Sequence, residues 1–154
     1  MIVSIVPSLI DALVAGARDL FGDTLTVCDG FEVGEDPGDY LMVGVDDPES
    51  PESAFAANVD QDWASIGARS RDESGHVTCA AMSWNGDADL KAARDGVYAT
   101  ASAFGEMLRN SPALGLDPEL LWTSFGTSMQ LSQSQVESGA IAQLVFQVAF
   151  RARI

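Results

Sequence analysis

The sequence predicts an α+β fold in which a mostly antiparallel β-sheet carries two amphipathic helices on one face. Three observations lead to this prediction. Two segments place apolar residues at helical spacing, several shorter segments have the composition of strands, and the last segment alternates apolar and polar residues with a period of two. The elements follow the order α-β-β-β-β-α-β-β, and all of them belong to a single domain spanning residues 1–154.

The two helices are predicted at residues 7–21 and 86–112. In each segment the apolar side chains recur every three or four residues and form one stripe, which is typical of a helix that packs against a sheet. Gly22 is placed to end the first helix. Asp87 or Asp89 is placed to cap the start of the second helix, where a carboxylate also interacts favourably with the helix dipole.

The first four predicted strands lie on either side of a long acidic loop. They are placed at residues 24–28, 40–46, 63–69 and 76–84, and a polar turn at 70–75 joins the last two. The strand at 40–46 is apolar on both faces, as expected of a strand that is covered on both sides. The segment 46–62 is acidic and contains two prolines, and we therefore predict a long loop there.

The last two strands are predicted to form a long antiparallel hairpin, with one strand at 120–133 and a polar turn that ends at Gly139. The apolar face of the final strand consists of Ala142, Leu144, Phe146, Val148, Phe150, Ala152 and Ile154. The opposite face consists of Gln143, Val145, Gln147, Ala149, Arg151 and Arg153. Because only one face is fully apolar, we expect that face to pack on the helices and the other to remain outside the core.

The net charge is −15, and it is unevenly distributed along the chain. Residues 1–62 contain 14 acids and one base, whereas residues 63–154 contain nine acids and seven bases. Binding of nucleic acid through its phosphates needs a basic surface, so this composition argues against such binding. No stretch of about 18 consecutive apolar residues occurs, and we therefore expect no membrane-spanning segment.

The sequence contains no arrangement of residues that is typical of catalysis, and it predicts no catalytic residue, no cofactor and no metal site. His76 is the only histidine, and on a strand its side chain would point away from that of Cys79. Cys28 and Cys79 are expected to be buried free thiols. Two alternatives stay open: a small hydrolase, for which His76 would be the base, and a ligand-binding module built on the three tryptophans.

Several strings of residues resemble a known family. They are YLMVGVDDPES, DWASIGARSRDESGHVTCAAMSWNGD, KAARDGVYATASAFGEMLR and TSMQLSQSQVESGAIAQLVFQVAFRARI. Their order and content resemble the tail terminator proteins, also called tail completion proteins, of long-tailed bacteriophages of actinobacteria. The resemblance extends over nearly the whole chain and implies a tail-terminator-like α+β subunit.

This resemblance implies a structural protein without catalytic residues or cofactors. Proteins of the family form a hexameric ring on the end of the finished tail tube, where they stop the addition of tail tube protein. The ring then binds the head-tail connector (stopper) protein, and DNA passes through its centre without sequence-specific binding. The implied location is the tail-neck region of the virion, and the host cytoplasm during assembly. A head-tail joining (neck) protein of the same virion is the alternative.

Three hypotheses about assembly follow. The polar face of the final strand meets a neighbouring subunit or the tail tube, although Arg151 and Arg153 would also serve simply to solvate the strand end. The acidic loop contacts the tube or the connector and becomes ordered on binding. The acidic surface lines the DNA path, where repulsion between like charges prevents sticking. The residues expected at these interfaces are Asp46, Asp47, Glu49, Glu52, Phe55, Arg69, Arg71, Asp72, Glu73, Gln143, Gln147, Arg151 and Arg153.

Overall fold

The computed structural model of the chain describes residues 1–32, 37–50, 52 and 55–154. Its elements are α1 (Val6–Phe21), β1 (Thr26–Asp29), β2 (Tyr40–Val43), β3 (Ala57–Trp63), β4 (Arg71–Asn85), α2 (Leu90–Asn110), β5 (Leu120–Val136) and β6 (Gly139–Arg153). The predicted α+β class and the predicted order of elements are confirmed. Residues 51, 53 and 54 of the predicted acidic loop lie outside the described residues.

The strands form one sheet with the order β1-β2-β4-β6-β5, and β3 pairs with the part of β4 that β2 leaves free. Among the described strands, β1 and β2 are parallel and the other pairs are antiparallel. β4 and β6 pair along nearly their whole length, from Asp72 opposite Arg153 to Asn85 opposite Ala140. A short turn joins β5 directly to β6. β5 is last in the strand order and forms one edge of the sheet.

Both helices pack on one face of the sheet. The apolar stripe of each helix is buried, and so is every even-numbered residue of β6 from Ala140 to Ala152. At the centre, the ring of Phe146 meets that of Phe104 edge-on, with 5.9 Å between centroids, and stacks on Phe125 at 4.8 Å. The predicted alternation of the final strand is thus confirmed, and its apolar face forms the middle of the core.

The helix ends follow from local sequence signals. Gly22 ends α1 with a φ of 53°, and its backbone N–H donates to the carbonyl of Arg18 at 2.9 Å. The carboxylate of Asp89 accepts a hydrogen bond from the backbone N–H of Ala92 at 3.2 Å at the start of α2. Both roles were predicted. Neither α1 nor α2, the helices of the described part of the chain, is long and apolar enough to cross a bilayer.

β2 is covered on both faces, as predicted for this segment. Leu41 and Val43 belong to the main core under the helices. Met42 lies on the opposite face, in a smaller buried cluster with Cys28 and Val45. Both cysteines of the chain are free and buried, and burial raises the pKa of each thiol to about 12. The expectation of two buried free thiols is therefore confirmed.

The predicted boundaries of several segments were wrong. Residues 57–62, expected in the acidic loop, form most of β3, and the strand expected at 63–69 is mainly the connection that follows it. Residues 70–75, expected to be a turn, lie mostly in β4, and β5 continues to Val136. The polar composition of these segments suggested loops. They are instead strands, in which pairing with neighbouring strands satisfies the backbone groups. The side chains of β3 and of the end of β5 are mostly exposed, whereas those of 71–75 are mostly half-buried or buried.

Glu73 lies in the segment expected to be a turn, and it is fully buried in β4. One carboxylate oxygen accepts hydrogen bonds from the hydroxyl of Ser4 at 2.9 Å and from the backbone N–H of Ile5 at 3.0 Å. The other accepts from the side chain of Gln61. The carboxylate also lies at the start of α1, where the helix dipole favours a negative charge. Glu73 was expected at an interface, but within the subunit its carboxylate is fully buried and engaged, so it presents no surface to a partner.

Substitution of Glu73 tests this anchor. Glu73→Ala is expected to lower the free energy of unfolding by about 1–3 kcal/mol, because the hydroxyl of Ser4 and the N–H of Ile5 lose their acceptor in a buried site. Urea unfolding measures the change. Ser74→Ala alters the exposed neighbouring position and is the control, with an expected change below ~0.5 kcal/mol. Equal stability of the two variants would contradict the anchoring role.

Candidate assembly surfaces

At one end of the sheet, Asp72 of β4 pairs with two arginines of β6. Arg153 donates from Nε to Oδ1 of Asp72 at 2.6 Å and from Nη2 to Oδ2 at 3.0 Å. Nη2 of Arg151 lies 3.5 Å from Oδ2. The hydrogen bonds from Arg153 hold the pKa of the Asp72 carboxyl below its usual range, and they raise the pKa of Arg153.

This pairing changes the interpretation of the two arginines. Arg151 and Arg153 were expected to meet a neighbouring acidic subunit or the tail tube, or to solvate the strand end. Each has an acidic partner within its own subunit. One carboxylate balances only one of the two positive charges. Both side chains are about half exposed, so this end of the sheet keeps a positive charge that another molecule can contact.

Beside the ion pair lies a cavity of about 580 Å³, here called the basic pocket. It is lined by Met1, Ile2, Trp63, Arg69, Arg71, Pro118, Glu119, Leu121, Arg153 and Ile154. Arg71 is held in place by hydrogen bonds to the side chain of Gln61 at 2.8 Å and to the carbonyl of Ile2 at 3.3 Å. The lining carries three arginines and one carboxylate, so the basic pocket is positive in a strongly acidic protein.

The basic pocket also has an apolar wall. The side chain of Trp63 is 67% exposed and that of Leu121 is 45% exposed, and Ile66 is fully exposed on the adjacent connection. Large apolar side chains gathered at the surface are typical of a binding site for another protein. Arg69 and Arg71 were predicted interface residues. Their proximity to Leu121 was missed, because it depends on how β5 and β6 pack beside β4 and not on spacing along the chain.

The face of the sheet opposite the helices is here called the polar face. Gln143 and Gln147 of β6 lie on it, half-buried, as the alternation of the final strand predicts. They stand opposite Met82 and Thr78 of β4, and Ser132 of β5 lies opposite Gln143. Most of these side chains are polar and uncharged, so the middle of this face is less charged than its end at Asp72, Arg151 and Arg153 and less apolar than the cluster around Met42.

The acidic residues between β2 and β3 border the polar face, and with Phe55 they are here called the acidic segment. Asp46 is half-buried, and Asp47, Glu49, Glu52 and Phe55 are exposed. Oδ1 of Asp47 accepts a hydrogen bond from the backbone N–H of Glu49 at 2.9 Å. Asp46 and Phe55 share a shallow cavity of about 290 Å³ with residues of the polar face. The acidic segment therefore lies far from the end of the sheet that holds the basic pocket.

The edge strand β5 is a further surface, and none of the residues expected at interfaces lies on it. Among the described strands it pairs with β6 alone, and its 17 residues contain no charged residue and no proline. Monomeric proteins usually protect a long edge with charges, prolines or short strands, because an open edge pairs with other chains. An irregularity between Phe125 and Met129 interrupts the strand, but residues 129–136 pair regularly. The absence of charged residues from 120–136 was the sequence signal that could have indicated this edge.

The structure separates His76 from Cys79, and the described residues form no cluster of metal ligands. His76 lies on the polar face, with its Nε2 at 3.4 Å from the amide nitrogen of Asn58, whereas Cys79 lies in the main core. Their predicted opposite orientation is thus confirmed. Within the described ranges, no three side chains of histidine, cysteine, aspartate or glutamate are placed to hold a metal ion.

Comparison with known proteins identifies the fold. A chain in the structure of the virion of a native gene transfer agent (GTA) particle has a similar fold, with a TM-score of 0.63 and 15% sequence identity. The match covers 99% of this chain and 100% of that chain. No protein-family model and no curated protein matches the sequence. At this level of identity the likeness establishes a shared fold that extends over the whole of both chains.

The pairing of Asp72 predicts a pH dependence. Because the folded state lowers its pKa, the pair contributes to stability above the ordinary aspartate pKa of about 3.9, and this contribution is lost as the pH falls through the lowered value. Arg153→Gln is expected to raise the pKa of Asp72, as followed by NMR of the carboxyl carbon. Asp95, whose pKa is lowered by Lys91 on α2, is the internal control and is expected not to change. An unchanged pKa of Asp72 would contradict the proposed ion pair.

Proposed function

We propose that this chain is a structural protein of a phage virion and forms a ring on the end of the tail tube. In that position it stops polymerisation of the tube and offers an attachment surface to the head connector protein. DNA passes through the ring, and the protein acts by assembly without catalysis. The observation that carries this proposal is the full-length likeness of its fold to a chain of a gene transfer agent virion.

The resemblance of the sequence to tail terminator proteins supports the finer assignment. The strings that carry it fall on different parts of the fold: β2 and the acidic segment, β3 and β4, α2, and the β5–β6 hairpin. They therefore follow the whole architecture and not one local motif. From this resemblance the ring is expected to contain six copies, and the tail tube protein and the connector protein are its expected partners in the tail-neck region.

The borders of the sheet support ring formation. β5 offers an uncharged edge on one side, and β3 offers a short edge with exposed acids on the other side, beside β4. Two unlike surfaces on the same subunit favour head-to-tail contacts, and such contacts close into a ring when the rotation between subunits is suitable. Pairing between a strand of one copy and β5 of the next would also cover the open edge.

The charge of the chain supports passage of DNA without binding. With a net charge of −15, the subunit repels a polyanion over most of its surface. The exposed acids of β3, Asp60 and Asp62, are among the side chains available to line such a path. The basic pocket is the exception, and in a ring it would be expected at a contact between proteins instead of at the lumen.

The proposal is tested by disrupting the gene for this chain in the phage that encodes it and viewing the lysate by electron microscopy. Overlong tails without heads are expected, because nothing stops the addition of tail tube protein. The control is the same phage with the gene supplied from a plasmid, which is expected to restore tails of normal length joined to heads. Tails of normal length beside filled, tailless heads would instead identify a neck protein and contradict the terminator role.

A further inference from the structure

The basic pocket gathers positive charge that the rest of the chain lacks. Four of the eight basic residues of the chain, Arg69, Arg71, Arg151 and Arg153, lie in it or beside it. Asp72, Glu119 and Asp62, which lies opposite Asp72 in β3, balance only part of this charge. A site with this surplus selects a partner segment that carries carboxylates.

The apolar wall of the basic pocket sets a second requirement. Trp63 and Leu121 expose a flat apolar surface beside the arginines. An aromatic or large aliphatic side chain inserted there would remove this surface from water, and central apolar anchors of this kind supply most of the binding energy at protein interfaces. The complementary partner is therefore an acidic segment with one exposed apolar side chain.

The acidic segment of this chain has that composition. Phe55 is 69% exposed, whereas the other phenylalanines among the described residues are buried or half-buried. Asp47, Glu49 and Glu52 precede Phe55 closely in the sequence, and all three residues are exposed. Charge and apolar content thus match between two surfaces that the same chain carries.

The acidic segment cannot reach the basic pocket of its own subunit. Phe55 lies just before Ala57, which pairs with Val77, whereas Trp63 pairs with Arg71 at the other end of β3. Six residues of extended strand separate the two ends by about 20 Å. The acidic segment of one copy must therefore bind the basic pocket of another copy. Because the two surfaces differ, the same contact can repeat from one copy to the next.

We infer that the basic pocket binds the acidic segment of a second copy of this chain, with Phe55 against Trp63 and Leu121 and the carboxylates against Arg69 and Arg71. This inference rests on the proposed function, since it specifies the contact between subunits of the ring. From the sequence alone, the tube or the connector is the expected partner of this segment. The charge and apolar wall of the basic pocket favour a second copy.

Disulfide cross-linking tests the contact on the full chain. One preparation carries Phe55→Cys and another carries Leu121→Cys, and the two are mixed at high protein concentration under mild oxidation. The native cysteines are buried and give little background. A mixed disulfide dimer is expected although the two substitutions weaken the apolar contact, because the carboxylates still pair with Arg69 and Arg71 and the disulfide traps a weak complex. Tyr98→Cys on α2 is the matched control, because Tyr98 is 40% exposed and Leu121 is 45% exposed, and its yield with Phe55→Cys is expected to be several-fold lower.

Two further variants sharpen the test. Arg69→Glu, added to the Leu121→Cys chain, is expected to reduce the yield of mixed dimer several-fold by like-charge repulsion. A chain that carries both cysteines is expected to give a ladder of cross-linked multimers. Equal yields with Leu121→Cys and Tyr98→Cys, or disulfides formed only between two Phe55→Cys chains, would overturn the inference.

Failure of the contact and failure of the proposed function can be told apart. Overlong tails after gene disruption, together with no cross-link at Leu121→Cys, would leave the terminator role intact and overturn the contact. A mixed dimer together with tails of normal length would support the contact and overturn the terminator role.

Discussion

The pairing of β4 with β6 is the constraint on which the other features of the molecule depend. Its register turns Glu73 and Phe146 towards the helices and leaves Asp72 beside Arg153 on the other face. A shift of one residue would exchange the faces of β6, which would bury Arg151 and Arg153 and expose Phe146. The core, the anchor of α1 and the charge of the basic pocket are therefore consequences of one register.

The same arrangement separates residues that stabilise the subunit from residues that remain available for assembly. The helices and the even-numbered residues of β6 complete the core on one face. The uncharged edge of β5, the polar face, the acidic segment and the basic pocket all lie outside that core. Such a subunit has a core of its own and still presents several unlike surfaces, which suits a structural protein with more than one partner.

Local signals in the sequence predicted much of the fold, and contacts between distant residues explain what they did not predict. Gly22, Asp89 and the alternation of β6 act through their immediate neighbours, so spacing along the chain was enough. In the sequence, Glu73 resembled any other acid in a polar turn. Ser4 and Ile5, which donate hydrogen bonds to its carboxylate, lie almost seventy positions away. The basic pocket was missed for the same reason, since four strands and the first residues of the chain meet there.

The measurement that tests the central claim most directly is a cryo-electron microscopy map of the neck of the virion that encodes this chain. The account predicts a ring of copies of this chain between the last layer of tube protein and the connector, with the edge of β5 covered and Phe55 of each copy seated in the basic pocket of the next. A map in which density for this fold is absent from the end of the tube, or in which it contacts only the head side, would contradict the account.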